Sequence, residues 1–185
     1  MVTITSPSVY TTEVNRSKFI THLVPIAAYE GLQAKLKSEH PKANHVVYAV
    51  RHLNEFGQIV ENASDEGEPK GCAGVPALNV LRGEALINCA VLIVRYFGGI
   101  KLGTGGMARA YAESVKNVLN EATLVPYEKQ ITYEFETGYS EVDKTLYRLK
   151  HLGLTHYERD FGVDKVVWKL TGSEKKIEQL KEEGL

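Results

Sequence analysis

The chain has 185 residues, of which 43% are hydrophobic and 24% are charged, and its formal net charge is −1. This composition is typical of a globular protein with one large domain or two small ones. The near-zero charge excludes polyanion binding by the overall field of the molecule, so a polyanion site requires a local patch. Two cysteines without a CxxC spacing, no apolar leader and no apolar run of membrane-spanning length predict a cytoplasmic protein with no membrane partner.

Apolar periodicity predicts strands and helices along the first part of the chain, with the second and third strands joined as a hairpin. The run at 88–97 is the most apolar strand, and we expect it at the centre of a sheet. Residues 63–76 combine acids, glycines and prolines without periodicity and predict a loop, and Gly83 is the expected C-cap of the helix that follows. The predicted strands are 18–26, 44–52, 59–62 and 88–97, and the predicted helices are 28–40, 77–83 and 104–122.

The pattern restarts after residue 126, which predicts two domains, 1–126 and 127–185. The second domain reads as strand, helix, strand, strand, helix, with the helix at 140–153 starting at a Ser140 N-cap and ending before Gly153 at C′. The predicted strands are 131–137, 154–160 and 163–170, and the predicted helices are 140–153 and 173–184. This order gives five of the six elements of a ferredoxin-like unit, with the last strand missing.

The most glycine-rich segment, residues 95–111, reads RYFGGIKLGTGGMARAY. Residues 103–108 fit the dinucleotide pattern GxGxxA, but GGIKL separates them from the strand, and no acid ends a second strand about 20 residues later. Residues 98–103 have the glycine spacing of a P-loop, but Thr-Gly stands where Lys-Ser/Thr is required. The segment therefore matches neither nucleotide motif.

The same segment still predicts an anion site. Glycines let backbone N–H groups approach a ligand, and the helix that begins near Thr104 offers unpaired donors and a positive dipole. Arg95, Lys101 and Arg109 could converge there. The alternative is that the glycines only allow tight packing and that the cations face solvent. The candidate anion- or nucleic-acid-binding residues are Arg95, Gly98, Gly99, Lys101, Gly103, Thr104, Gly105, Gly106 and Arg109.

Four residues are candidates for catalysis: His45, Asp65, Glu66 and Glu68. The three clustered carboxylates could hold Mg²⁺ through water or supply a general base, and the alternative is an exposed acidic turn. A triad of Ser64, His45 and Asp65 lacks the GxSxG elbow that would support it. No Cys/His spacing matches a zinc site, so we expect neither a metal nor a cofactor.

In the second domain, aromatic residues alternate with charged ones on the predicted sheet. Such a face can stack single-stranded bases. The domain has a net charge of −2 and lacks the RNP1 pattern. Aromatics in the core with a solvated charged face are therefore the favoured interpretation.

Three segments, NHVVYAVRH, ASDEGEPKGCAGVPALNVLRG and VLIVRYFGGIKLGTGGMARAYAESV, resemble the signature blocks of the Impact family and its bacterial YigZ branch in order and spacing. NRSKFITHLVPI resembles the opening strand of that family. The resemblance implies an α+β protein with an α/β sandwich like ribosomal protein S5 domain 2. It also implies a ferredoxin-like second domain similar to domain V of elongation factor G. Eukaryotic relatives regulate translation during amino-acid starvation, and the family offers no established catalytic residues.

Three functions follow as expectations. The first is a translation-associated regulatory module that binds RNA, the ribosome or a protein partner through the glycine-rich anion site. The second is an enzyme that acts on a phosphorylated or nucleotide substrate between the glycine-rich and acidic segments. The third is a protein-interaction module without a small ligand. Whether the chain is an enzyme stays open at this point.

Overall fold

The computed structural model describes residues 1–184, which divide into two compact units between Tyr127 and Glu128. This division lies beside the boundary that the sequence predicts near residue 126. The fold is a mixed α/β fold with five α-helices in the described part of the chain. None of the helices within residues 1–184 combines the length and the apolar character that a membrane crossing requires.

The first unit is built on a five-stranded sheet in which all neighbouring strands are antiparallel, in the order β2-β3-β6-β4-β5. Strands β1 and β7 form a separate antiparallel pair. The elements are β1 (Val2–Ile4), β2 (Ser8–Val14), β3 (Ser17–Pro25), α1 (Tyr29–Glu39), β4 (His45–Leu53), β5 (Ile59–Ser64), α2 (Gly74–Gly83), β6 (Cys89–Tyr96), α3 (Gly103–Glu121) and β7 (Leu124–Pro126).

The central strand is β6, as its apolar sequence predicts, and it is buried from Cys89 to Arg95. Side chains of α2 and α3 form the larger hydrophobic core with one set of strand residues. The alternate strand residues pack with α1 in a second core. A strand covered on both faces needs a continuous apolar run, and this is why β6 shows no polar alternation.

The sheet register brings three residues of different strands to the same level. Arg95 of β6 lies between Phe19 of β3 and His45 of β4. Directly opposite residues of an antiparallel pair point to the same face of the sheet. Arg95 and His45 therefore point to the same face of the sheet as the buried Phe19, and Arg95 contacts Met107 of α3.

Several predicted boundaries in the first unit are wrong. Strands β1, β2 and β7 have no predicted counterpart, because they are short or largely exposed and carry little apolar alternation. The predicted loop at 63–76 is shorter, since β5 extends to Ser64 and α2 begins at Gly74. Gly83 is the last residue of α2, and the C-cap is Glu84.

The second unit has a three-stranded antiparallel sheet in the order β8-β10-β9. Its elements are β8 (Gln130–Gly138), α4 (Val142–His151), β9 (His156–Phe161), β10 (Lys165–Ser173) and α5 (Glu174–Glu182). The ferredoxin-like assignment stays a prediction, as does the S5-like assignment of the first unit. No strand follows α5 within residues 1–184.

Aromatic residues of this second sheet belong to its core. Trp168 is fully buried, stacks on Phe135 and contacts Tyr157 at a ring distance of 5.8 Å. These rings pack with the apolar side chains of α4 and α5. The structure therefore favours the core interpretation of the aromatic pattern over base stacking by these three side chains.

The ends of α4 show one correct prediction and one error. Ser140 is not the N-cap: a 3-10 turn covers Tyr139–Glu141, the helix starts at Val142, and no side chain caps it. Gly153 follows the helix with a φ of 64°, the left-handed conformation expected at C′.

Candidate functional site

One pocket of about 380 Å³ lies in the first unit, at the end of β6. It is bounded by the start of β4, the segment before α2 and the start of α3. Its volume is within the range of small-molecule sites. The lining residues are Asn44, His45, Glu68, Pro69, Arg95, Phe97, Lys101, Leu102, Gly103, Thr104 and Met107.

A buried ion pair contributes to the wall of this pocket. Arg95 donates a hydrogen bond from Nη1 to Glu68 Oε1, and the Tyr111 hydroxyl donates to the same oxygen at 2.8 Å. Burial, together with the Glu68 carboxylate, raises the pKa of Tyr111 far above its ordinary value, so the phenol stays a donor. The two donors satisfy Oε1 and fix the carboxylate between β6 and α3.

His45 lies next to this ion pair. Its Nδ1 donates a hydrogen bond to the Glu66 carbonyl oxygen at 2.9 Å, which leaves Nε2 3.6 Å from Glu68 Oε2. Glu66 and Gly67 both have positive φ values, 45° and 90°. A Cβ on Gly67 would come within 3.3 Å of the His45 ring, so the missing side chain lets the loop approach the imidazole.

The other two acids of the predicted cluster do not line the pocket. Asp65 accepts hydrogen bonds from the N–H groups of Gly71, Ala73 and Gly74 at 2.8–3.0 Å. Burial raises the pKa of Asp65, but these three donors together lower it more, and the net shift is downward. Asp65 therefore organises the loop and the start of α2, which leaves Glu68 as the acid of the pocket.

Glu66 points to a different partner. Its carboxylate pairs with Lys37 of α1 at 3.0 Å. The acidic segment is thus neither a single exposed turn nor a cluster of equivalent carboxylates. Within residues 1–184, no three His, Cys, Asp or Glu side chains group as a metal site would require.

The mouth of the pocket combines a cation with a helix start. Lys101 is exposed, and Gly103 and Thr104 begin α3 beside it. Gly103 has a φ of 67°, which favours glycine at this entry. Leu102, at the N-cap, provides no side-chain acceptor, so the unpaired N–H groups of the first turn remain open to an anion.

The remaining predicted anion-binding residues lie outside the pocket lining. A Cβ on Gly98 would lie 2.1 Å from the Arg16 carbonyl carbon, so this glycine serves close backbone packing. Gly99, with a φ of 84°, turns the exposed loop. Gly105 and Gly106 follow in the first turn of α3, and Arg109 lies exposed beside Gly105.

The three predicted cations have different environments, and only two of them line the pocket. Arg95 is buried and already paired with Glu68, and Arg109 is not among the lining residues. Lys101 is the exposed cation of the pocket. The spacing of the charges along the chain cannot show this, because the pairing partner of Arg95 comes from a loop 27 residues earlier.

Phe97, Met107 and Tyr111 are site residues that sequence reasoning did not select. Phe97 directly follows β6 and is 47% exposed, while Met107 and Tyr111 lie on the buried face of α3. The helical spacing of the last two identifies a core face but not a pocket wall. In the sequence, only the position of Phe97 directly after a buried strand indicates that its side chain is exposed.

This fold and this pocket define a two-unit mixed α/β protein with a charged pocket at the end of its central strand. Residues 15–119 match the family model of the Impact N-terminal domain. The chain belongs to the Impact family, as its signature blocks predict. The matched residues include every residue that lines the pocket.

Two curated relatives support this membership. An IMPACT family member of Haemophilus influenzae is 40% identical over 117 residues, which cover 62% of this chain and 57% of that protein. The chain thus spans little more than half the length of that relative. YigZ of Escherichia coli is 35% identical over 144 residues, or 72% of this chain and 70% of YigZ.

A solved structure of a hypothetical protein has a similar fold. It aligns with 98% of this chain and 89% of its own length, with a TM-score of 0.66 and 26% identity. The likeness therefore extends through the elements of both units.

Proposed function

We propose that this chain is a translation-associated regulatory module of the cytoplasm that binds RNA or the ribosome through the pocket mouth at α3. Family membership supports the translation role, since the family resemblance implies translation regulators among its eukaryotic members. The observation that carries the proposed binding mode is the presence of Lys101 and the uncapped first turn of α3 in one pocket. A cation beside unpaired backbone donors is an arrangement suited to phosphate.

The positive charge available to a ligand is concentrated at the mouth of the pocket. The pair of Arg95 and Glu68 has no net charge, so the exposed Lys101 supplies the positive potential of the pocket. Arg109, one turn further along α3, extends the cationic surface outside the pocket. The chain as a whole has a charge of −1, so binding would depend on this patch and not on the overall field.

Binding to a labelled single-stranded RNA, measured by fluorescence anisotropy at several salt concentrations, tests the proposal. Removing one cation that binds a phosphate should reduce the slope of log affinity against log salt by roughly 1. Lys101→Ala with Arg109→Ala should therefore weaken binding and flatten the slope. Lys116→Ala is the matched control, because this exposed lysine lies on α3 but not in the pocket. RNA binding that is absent at low salt, or identical in all variants, contradicts the proposal.

A second candidate function is an enzyme that acts on a phosphorylated or nucleotide substrate. The observation that favours it is His45 Nε2 at 3.6 Å from the buried Glu68 carboxylate, in the same pocket as Lys101. An imidazole beside a carboxylate can transfer a proton while the cation holds a phosphate. Turnover of a phosphorylated substrate that His45→Ala abolishes and Lys70→Ala preserves would establish this function.

A third candidate is a protein-interaction surface. Phe97 and Ile100 are exposed to 47% and 44% on the segment between β6 and α3. Exposed apolar residues of this kind mark contact surfaces when they cluster. A protein partner that stays bound at high salt and no longer binds the Phe97→Ser variant would favour this function over RNA binding.

A further inference from the structure

We infer that the pocket accepts one nucleoside monophosphate group, with its phosphate at the start of α3 and its base against Phe97. This inference rests on the proposed function and adds the chemical class of the ligand. It follows from how the pocket distributes cationic, aromatic and polar groups over its wall.

The phosphate end of the pocket is defined by Lys101 and the first turn of α3. The backbone donors there have no side-chain acceptor from Leu102, and Lys101 is exposed. The buried floor gives an independent indication of a ligand. Arg95 is 6% exposed, and its Nε has no hydrogen-bond partner in the described part of the chain.

An aromatic wall distinguishes this pocket from a simple phosphate site. Phe97 lines it with a ring that is about half exposed, and the Arg95 guanidinium carbon lies 5.9 Å from the ring centre. Pro69, Leu102 and Met107 complete an apolar surface around it. A flat base stacks on such a ring regardless of its identity.

The backbone holds Phe97 in place for this role. Its N–H donates to Asn44 Oδ1 at 3.0 Å, and the N–H of Gly98 donates to Ser17 Oγ at 3.1 Å. The ring is therefore presented from a fixed strand end and not from a free loop. Such an arrangement lowers the conformational entropy that ligand binding costs.

The polar floor gives the ligand groups to recognise besides its phosphate. Glu68 Oε1 is satisfied by Arg95 and Tyr111, whereas Oε2 accepts no hydrogen bond among the described residues and faces His45 Nε2. An oxygen held this way can accept from a sugar hydroxyl or a base amino group. The volume of about 380 Å³ is in the range of a small-molecule site and excludes a folded RNA element.

Calorimetric titration of the full chain tests the inference with uridine 5′-monophosphate, uridine and inorganic phosphate as probes. We expect one site per chain, with the monophosphate bound more tightly than either part alone. Phe97→Ala should weaken monophosphate binding about tenfold or more and leave binding of inorganic phosphate nearly unchanged. Phe97→Tyr should restore binding, and Phe56→Ala, at an exposed residue of the β4–β5 turn, is the control.

Two short RNAs that differ only in a 5′-phosphate or 5′-hydroxyl separate the two sources of this ligand group. Tighter binding of the phosphorylated RNA assigns the pocket to a chain end, and binding of the free monophosphate alone assigns it to a free nucleotide. Monophosphate binding no tighter than phosphate, or unaffected by Phe97→Ala, overturns the inference. If Lys101 still governs salt-dependent RNA binding in that case, the proposed function stands without it.

Discussion

In the first unit, Glu68 and Arg95 pair in the wall of a pocket with side chains 3% and 7% exposed, whereas Glu136 and Lys165 pair on the open sheet face of the second unit at 54% and 62%. Both are one acid and one cation joined by a short hydrogen bond. The buried pair has to be satisfied within the protein, while water can replace either partner of the exposed pair. The comparison shows that the environment, more than the residue types, decides what a charge pair contributes.

The difference also bears on function. The buried pair lies among the residues that form the pocket, next to His45 and Lys101. The open face of the second sheet carries charges of both signs, and the second unit has a net charge of −2. The first unit is therefore the better candidate for ligand binding.

Glu68→Gln is expected to give the largest effect. It leaves the Arg95 guanidinium buried without a counter-charge, which should cost about 3 kcal/mol of unfolding free energy. Glu136→Gln, the matched change on the exposed pair, should shift the urea midpoint barely at all. Hydrogen exchange along β6 measures the stability of the first unit, and fluorescence of Trp168, the single tryptophan, measures the stability of the second. Equal effects of the two substitutions would remove the distinction between the pairs.

Gly98→Ala should have the next largest effect. Its new Cβ would lie 2.1 Å from the Arg16 carbonyl carbon, in the two-residue turn that joins β2 to β3, so we expect a destabilisation of about 2 kcal/mol. In the second unit, a Cβ on Gly172 would meet the Leu154 Cδ2 methyl at 2.3 Å. That side chain can rotate, so Gly172→Ala should cost less, and thermal unfolding of both variants compares them. A larger destabilisation by Gly172→Ala would contradict this explanation.

Acid should weaken the first unit through Glu61. Hydrogen bonds from Arg82, with a smaller contribution from Arg51, lower the pKa of this carboxyl from 4.5 to about 2. Because the folded pKa is depressed, the contribution to stability is complete above pH 4.5 and is lost as the pH falls towards 2. Glu61→Gln should lower the melting temperature by about 3 °C at pH 7 and by less at about pH 3. An equal decrease at both pH values would show that the ion pairs contribute nothing.

Lys165→Ala should have the smallest effect. The Glu136 carboxylate raises the pKa of Lys165, but both side chains are more than half exposed, and salt screens their attraction. We expect the unfolding midpoint of the second unit, followed by Trp168 fluorescence, to stay the same within experimental error at both low and high salt. A clear decrease in stability that salt abolishes would mean that exposed pairs hold the second sheet together.

The sequence determined the elements whose burial is continuous or periodic. The apolar run of β6 and the helical spacing of Met107, Ala110 and Val118 in α3 identify the centre of the first unit without coordinates. Strands β1, β2 and β7 were not predicted, because they are short or largely exposed. Strands β1 and β7 pair with each other from opposite ends of the first unit, as Val2 with Pro126 shows, whereas β2 pairs with β3, the next strand along the chain.

The candidate site, too, was predicted only in part from the sequence. Sequence alone identified the residue types, since glycines before a helix and clustered acids are visible as local patterns. It did not decide among Asp65, Glu66 and Glu68, because three adjacent carboxylates are chemically alike. Only the tertiary structure shows that Asp65 accepts hydrogen bonds from the backbone at the start of α2. It also shows that Glu66 pairs with Lys37 and Glu68 with Arg95. Each of those partners is brought by a different element, and burial beside it fixes what the carboxylate can do.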